Sequence, residues 1–386
     1  TPLLARKMLR PEYNVRHGKR HGSFSGLDLR RSHTDLRSGS FSGAQSPRCS
    51  VFNQSEFEAA KVYVISIDLI DDLRAMKDSD RLYVGTINEI NQLMASGKSV
   101  IFTTENSNES RRAHGQKLVE HGIKLDPVSM QRSVVSTSYS CAWNLRHAHI
   151  KRPFVLCSET GILDELRDVG ITGYVATTTD HGRPKAEYLQ PADSESLNRI
   201  VSRNGAIDAV VVSWDRQLTL MKVEVAAAYL KQSRLHGGGA IPLMACSDRT
   251  TGVRGTINPD SNESNPFHNF EVPAVGSGAM AQLISNCSKP GGHGVTNVGM
   301  SSVLFLDVLQ APEIYGGYGI NFADAIVIGD KPHTDIALAR LGGMKSLLIT
   351  NDGSYEMCID DDNKPTWVLP SLMHACDRGS DTWAEP

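Results

Sequence analysis

The chain has 386 residues, of which 40% are hydrophobic and 22% charged. That is ordinary globular composition, enough for a core that needs no staples, and no apolar run approaches the ~18 residues of a membrane span. Seven cysteines (Cys49, Cys141, Cys157, Cys246, Cys287, Cys358, Cys376) are scattered with no C-x-x-C pair and read as reduced packing residues. The net charge of −3 is uneven: residues 1–50 hold ten Lys or Arg against three acids, net +7, which leaves −10 for the other 336.

Residues 1–58 are rich in Ser, Gly, Arg and His and lack periodicity, and "SGSFSGAQS" is low-complexity. Basic, acid-poor composition of this kind is that of an organelle transit segment. A start at Thr1 in place of Met is read as a processed end. The expectation is a mitochondrial protein whose basic extension docks on protein subunits of a larger assembly. Net −10 on the remainder restricts any RNA contact to this extension.

From residue 59 the chain alternates strand and helix. Val62–Ile67 is a partly β-branched run that ends in the acids Asp68, Asp71 and Asp72, as expected of a buried parallel strand delivering its end to a site. A variable loop follows, then a helix near 85–96 with Ile87, Ile90, Leu93 and Met94 at helical spacing, ended by Gly97. A strand at 99–103 leads to Thr104-Glu105-Asn106-Ser107, and a helix carrying Leu118 and Val119 runs to Gly122. Further strand and helix segments fall at 153–157 into 160–168, 207–212 into 217–231, 241–246, 302–310, 324–328 into 334–341, and 345–350. Repeated βαβ units imply a mainly parallel sheet with its strand ends on one edge. "HGGG" at 236–239 and His293 in "GGHG" read as loops, since no G-x-S-x-G accompanies the former.

Five segments in order, "GKSVIFTTENSNESRRAHGQKLVEHGI", "SETGILDELRDVGI", "DAVVVSWDRQLTLMKVEVAAAYL", "VPAVGSGAMAQLI" and "DAIVIGDKPHTDIALARLGGMKSLLI", carry a resemblance to a known family. The chain resembles the haloacid dehalogenase superfamily, in the C2-capped branch of phosphoglycolate phosphatase and 4-nitrophenylphosphatase. The resemblance implies a Rossmann-like α/β core at 59–147 and 273–386, an inserted α/β cap at 148–272, and the basic extension at 1–58.

The family's chemistry uses an aspartate nucleophile, a second carboxylate two residues on, a Ser or Thr and a Lys on the phosphoryl oxygens, and acids for Mg²⁺. Against its D-x-D-G the chain has Ser66-Ile67-Asp68-Leu69, so Ser66 stands at the nucleophile position and Asp68 at the acid position. Sliding the register makes Asp68 the nucleophile and leaves Ile70 at the acid position. Thr104 matches the family's Ser/Thr, with Asn106, Ser107, Ser110 and Arg111 in its run. Glu105 replaces an Asn and would set negative charge near a phosphate. Met300, in Val298-Gly299-Met300-Ser301-Ser302, stands where the lysine belongs. Gly329-Asp330-Lys331-Pro332-His333-Thr334-Asp335 keeps both family acids, Asp330 as metal ligand and Asp335 behind it, in a run that also suits a helix cap. Asp215 and Lys222 belong to the cap pattern and are read as structural.

Losing a nucleophile costs on the order of 10⁴–10⁶ in rate. The expectation is therefore an inactive pseudophosphatase that serves as an accessory subunit of a mitochondrial complex and needs no cofactor. The alternative is a residual Mg²⁺-dependent phosphatase acting on a small phosphoester such as phosphoglycolate through Asp68.

Overall fold

The computed structural model describes residues 49–75, 80–235, 240–248, 250–257, 270–289, 292–350 and 363–376. The basic segment 1–48 and the HGGG run lie outside these residues, and with them the expected docking and localisation signals.

Two parallel sheets make up most of the fold. The first has the order β13-β12-β11-β1-β2-β3, with β1 Val62–Ser66, β2 Ser99–Thr104, β3 Val134–Ser136, β11 Ala325–Gly329, β12 Lys345–Ile349 and β13 Trp367–Leu369. The second has the order β10-β7-β6-β4-β5, with β4 Pro153–Leu156, β5 Val175–Ala176, β6 Ala209–Val212, β7 Leu243–Ala245 and β10 Val295–Asn297. An antiparallel pair, β8 Thr250–Ile257 and β9 Phe270–Val275, lies apart from both.

The apolar run of β1 is buried on both faces, as a central parallel strand requires. Side chains alternate across the strand. Tyr63 and Ile65 pack with Ile326 and Ile328 of β11 on one face, and Val64 packs with Val327 on the other. The second face is shared with the other sheet, because Val155, Val211 and Met244 belong to the same apolar cluster.

Three features depart from the sequence reading, and a fourth settles a segment, 302–310, that it left as strand or helix. Residues 54–58, placed in the extension, belong to helix α1 Gln54–Ala59. Its Phe57 is buried, and the Tyr63 hydroxyl donates to the Phe57 carbonyl at 2.5 Å. Where a variable loop was expected after β1, helix α2 Ile67–Ala75 begins at once and buries Ile67, Leu69, Ile70 and Leu73. Residues 302–310 are a helix, Val303–Gln310, capped by Ser302. The helix Ser277–Ser288 and β10 pack with the second sheet, so the boundary expected at residue 272 cuts through that layer.

Asp215 and Lys222 are structural, as expected. They form an ion pair of 2.6 Å with both side chains wholly buried, and the ammonium also donates to the Gln217 carbonyl at 2.9 Å. Removing one partner of such a pair strands the other charge. Lys222→Ala is therefore expected to destabilise the fold by about 3–5 kcal/mol, measured by urea denaturation. A loss below about 1 kcal/mol would show that water reaches Asp215.

Candidate active site

β1 is the strand at which the chain order of the first sheet reverses, with β2 on one side and β11 on the other. Ligands of open α/β sheets bind at the carboxyl ends of strands around such a reversal. The pairing of Ile65 with Ile328 and of Ser66 with Thr103 brings three loop starts together. They carry Asp68, Thr104 and Asp330-Lys331, residues far apart in sequence.

Asp68 lies in the first turn of α2. Its Oδ1 accepts from the Thr104 hydroxyl at 3.1 Å and its Oδ2 from the Lys331 ammonium at 2.9 Å. The same ammonium is 3.4 Å from Asp72 Oδ2. Asp68 and Asp72 are four residues apart on a helix, hence on one face. Ser66 is only 2% exposed, whereas the Asp68 side chain is 26% exposed. The reachable carboxylate is therefore Asp68, not the residue at the end of the strand.

Asp330 has a buried Oδ1 with no hydrogen-bond partner. Burial, then the Asp72 and Asp68 carboxylates, push its carboxyl up to about 7 against the pull of Lys331. Asp335 does not cap a helix with its side chain. Its Oδ2 accepts from the Lys331 backbone N–H at 3.0 Å, inside a wide helical turn at Pro332–Ile336. A Cβ on Gly329 would stand 2.1 Å from that oxygen, so only glycine lets this carboxylate lie under the loop. Burial raises the Asp335 carboxyl to about 8. Lys331 stays charged: burial opposes its charge, and Asp68, Asp330 and Asp72 together outweigh burial.

Thr104 Oγ1 accepts the Asn106 backbone N–H at 3.0 Å, and Asn106 Oδ1 accepts from Asn108 N–H at 2.9 Å, which shapes the loop after β2. Ser110 caps the next helix, Arg111–Glu120. Arg111 is buried, ion-paired to Glu165 at 2.9 Å and Asp168 at 3.2 Å, with its guanidinium 3.3 Å from the Tyr139 ring centroid. The second sheet's layer closes on the same loop. Gly161 N–H donates to the Asn108 carbonyl, and Ser213 donates to Ser107, each at 3.0 Å.

Met300 is a core residue, 1% exposed. Its backbone N–H donates to Glu105 Oε1. Glu105 does not set a negative charge near the site at neutral pH. Burial, and then Asp248, raise its carboxyl to about 8 against backbone N–H bonds from Met300 and Asp248. Asp248 is itself held by Asn297 and by the Ser301 hydroxyl, the latter at 2.6 Å.

The donors suit a hard divalent cation in kind. Mg²⁺ is usually held by one or two carboxylates plus waters and substrate oxygens. Asp68 and the unpartnered Asp330 oxygen supply such ligands. Among the described residues no three such ligands converge on one point, and Lys331 lies against Asp68.

Two family models match, a haloacid dehalogenase-like hydrolase over residues 75–172 and a HAD-hydrolase-like model over residues 298–375. Over these two stretches the chain is similar to haloacid dehalogenase-like hydrolases. It is 24% identical over 352 residues to chloroplastic phosphoglycolate phosphatase 1A of Arabidopsis thaliana, covering 90% of this chain and 85% of that one. It is 26% identical over 290 residues to 4-nitrophenylphosphatase of Schizosaccharomyces pombe, covering 74% and 83%. A p-nitrophenyl phosphatase structure from Bacillus subtilis shares the fold, with a TM-score of 0.53 at 18% identity over 82% of this chain and 95% of that one.

These relatives correct the expectation of an inactive protein. Phosphatases match this chain along most of its length, and the ammonium of Lys331 lies against Asp68. Sequence reasoning singled out neither Lys331 nor Asp72 nor Asp248 as a site residue. The i, i+4 spacing of Asp68 and Asp72 was visible, but only once 67–75 is read as a helix.

Glu105 titrates from an ordinary 4.5 when unfolded to about 8 when folded. The native state thus holds an extra proton between those values. Its contribution to stability is complete below the lower value and is lost as pH rises through the upper one. Glu105→Gln keeps an acceptor for Met300 N–H. It is expected to make the decline in stability between about pH 5 and about pH 8 shallower and to exceed the parent at the upper pH by on the order of 1 kcal/mol or more. Denaturant titrations at both pH values check this, and identical slopes would refute it.

Proposed function

We propose that the protein is a Mg²⁺-dependent phosphatase of small phosphoesters, with Asp68 as its nucleophile. The observation that carries this reading is the Asp68 carboxylate held between the Thr104 hydroxyl and the Lys331 ammonium at the junction of β1 and β11. The named activities of the relatives support the reaction class. Contacts from the second layer hold the Asn106–Ser110 loop that follows Thr104.

In this reading an Asp68 oxygen attacks phosphorus and forms an aspartyl-phosphate, and the substrate oxygen leaves with a proton. Asp72, one turn along the helix on the same face, would supply that proton. Thr104 orients Asp68 through its one O–H, which donates to Asp68 Oδ1. Mg²⁺ held by Asp68 and Asp330, with Asp335 fixing the loop beneath, would neutralise charge that the carboxylates alone would repel.

Hydrolysis of 4-nitrophenyl phosphate and phosphoglycolate with Mg²⁺ is expected, abolished by chelation. Asp68→Asn should lower kcat by at least about 10³-fold, as loss of a nucleophile does, while Ser66→Ala should leave kcat within about three-fold. Wild-type protein that turns over neither ester, or an Asp68→Asn variant that keeps full activity, would overturn the proposal.

A further inference from the structure

We infer that Lys331 is the phosphoryl-binding cation of this site, held on Asp68 and Asp72 until a divalent ion takes over the carboxylates. This rests on the proposed site at Asp68 but not on its catalytic competence.

A phosphate dianion approaching the end of β1 meets Asp68, Asp72 and Asp330. It needs a positive group to bind there at all. Met300, at the position where a lysine was expected, is buried in the shared apolar cluster and offers only a backbone N–H, which Glu105 already accepts. Lys331 comes from the other side, on the loop after β11, and reaches within 2.9 Å of Asp68 and 3.4 Å of Asp72. Its side chain is 33% exposed, so part of it faces solvent. Its backbone is fixed by the Asp335 carboxylate. The anchor of the side chain is therefore rigid while its tip is free to exchange partners.

The consequence is a coupling between two ligands. A cation on Asp68 and Asp330 displaces the ammonium and frees it for an anion, and an anion that draws the ammonium away leaves the carboxylates open to a cation. Each ligand therefore tightens the binding of the other by the same factor. Asp72, half exposed at 54%, works against this by holding the ammonium back.

The test is calorimetry of inorganic phosphate binding to the full chain, with and without MgCl₂, beside a separate assay of 4-nitrophenyl phosphate turnover. Mg²⁺ is expected to tighten phosphate binding several-fold in the parent. Lys331→Met should weaken phosphate binding in Mg²⁺ by about ten-fold or more, the size of a lost charge-assisted contact, and should tighten Mg²⁺ binding in the absence of phosphate. Lys331→Arg should recover most of the loss. Asp72→Asn, a change at a half-exposed side chain that leaves folding intact, should strengthen phosphate binding by about two- to five-fold. Phosphate affinity within about two-fold of the parent in Lys331→Met, no phosphate binding by the parent, or weaker binding in Asp72→Asn would each overturn the inference. A parent that binds phosphate through Lys331 but hydrolyses nothing would uphold it while refuting the catalytic reading.

Discussion

The ion pair between Lys331 and Asp68 is the interaction on which the sheet end depends. Four aspartates, Asp68, Asp72, Asp330 and Asp335, gather where β1 and β11 terminate, and neighbouring like carboxylates cannot all stay charged without a cation. The protein relieves this in three ways. Lys331 neutralises Asp68 and draws in Asp72. Asp335, and more distantly Glu105, are buried deeply enough to keep their protons at neutral pH. Asp72 remains half exposed, where water screens it. Asp330 is the group left between these solutions, buried at one oxygen and poised near neutrality.

The loop that faces this cluster is held by a second buried pair. Arg111 reaches from the start of its helix to Glu165 and Asp168 in the other layer, stacked on Tyr139. A buried arginine is tolerated here because its fork is matched by carboxylates and by the Tyr318 hydroxyl. Gly161 completes the clamp: a Cβ there would lie 2.5 Å from the Asn108 carbonyl, so the layers approach as closely as backbone allows. The position of Thr104 against Asp68 thus depends on contacts between layers as well as on strand pairing.

Much of the framework was legible in the sequence because it rests on periodicity. The β1, β2 and β11 runs and the helix ended by Gly97 follow from apolar patterning and spacing. Thr104 and Asp330 stand at the strand ends where the resemblance put them. What escaped was set by local geometry. A pair of acids two residues apart serves a site only where the chain is extended or looped. Here the helix starts at Ile67, so residues two apart diverge and the companion of Asp68 is Asp72. The boundary expected near residue 272 failed for a related reason: the Ser277–Ser288 helix is apolar on a face that either layer could have covered.

The reading of Met300 and Ser66 as evidence of lost catalysis confused a position with a charge. What a phosphoryl site requires is positive potential at one point in space, and a flexible lysine can deliver it from any loop within reach. Met300 answers to the packing of its own segment, where it fills a cluster shared by both sheets. Ser66 answers to the strand, where it is buried beside Thr103. Neither residue can face a substrate, so neither substitution bears on what a substrate would meet. The groups that can are Asp68, Thr104 and Lys331. Two of the three stand at positions where the family's motifs carry polar groups, and the third lies one residue beyond such a position. A site can therefore keep its electrostatics while the motif that usually supplies them is rewritten, because the field at the sheet end is a sum over side-chain tips and carries no record of the sequence positions they come from.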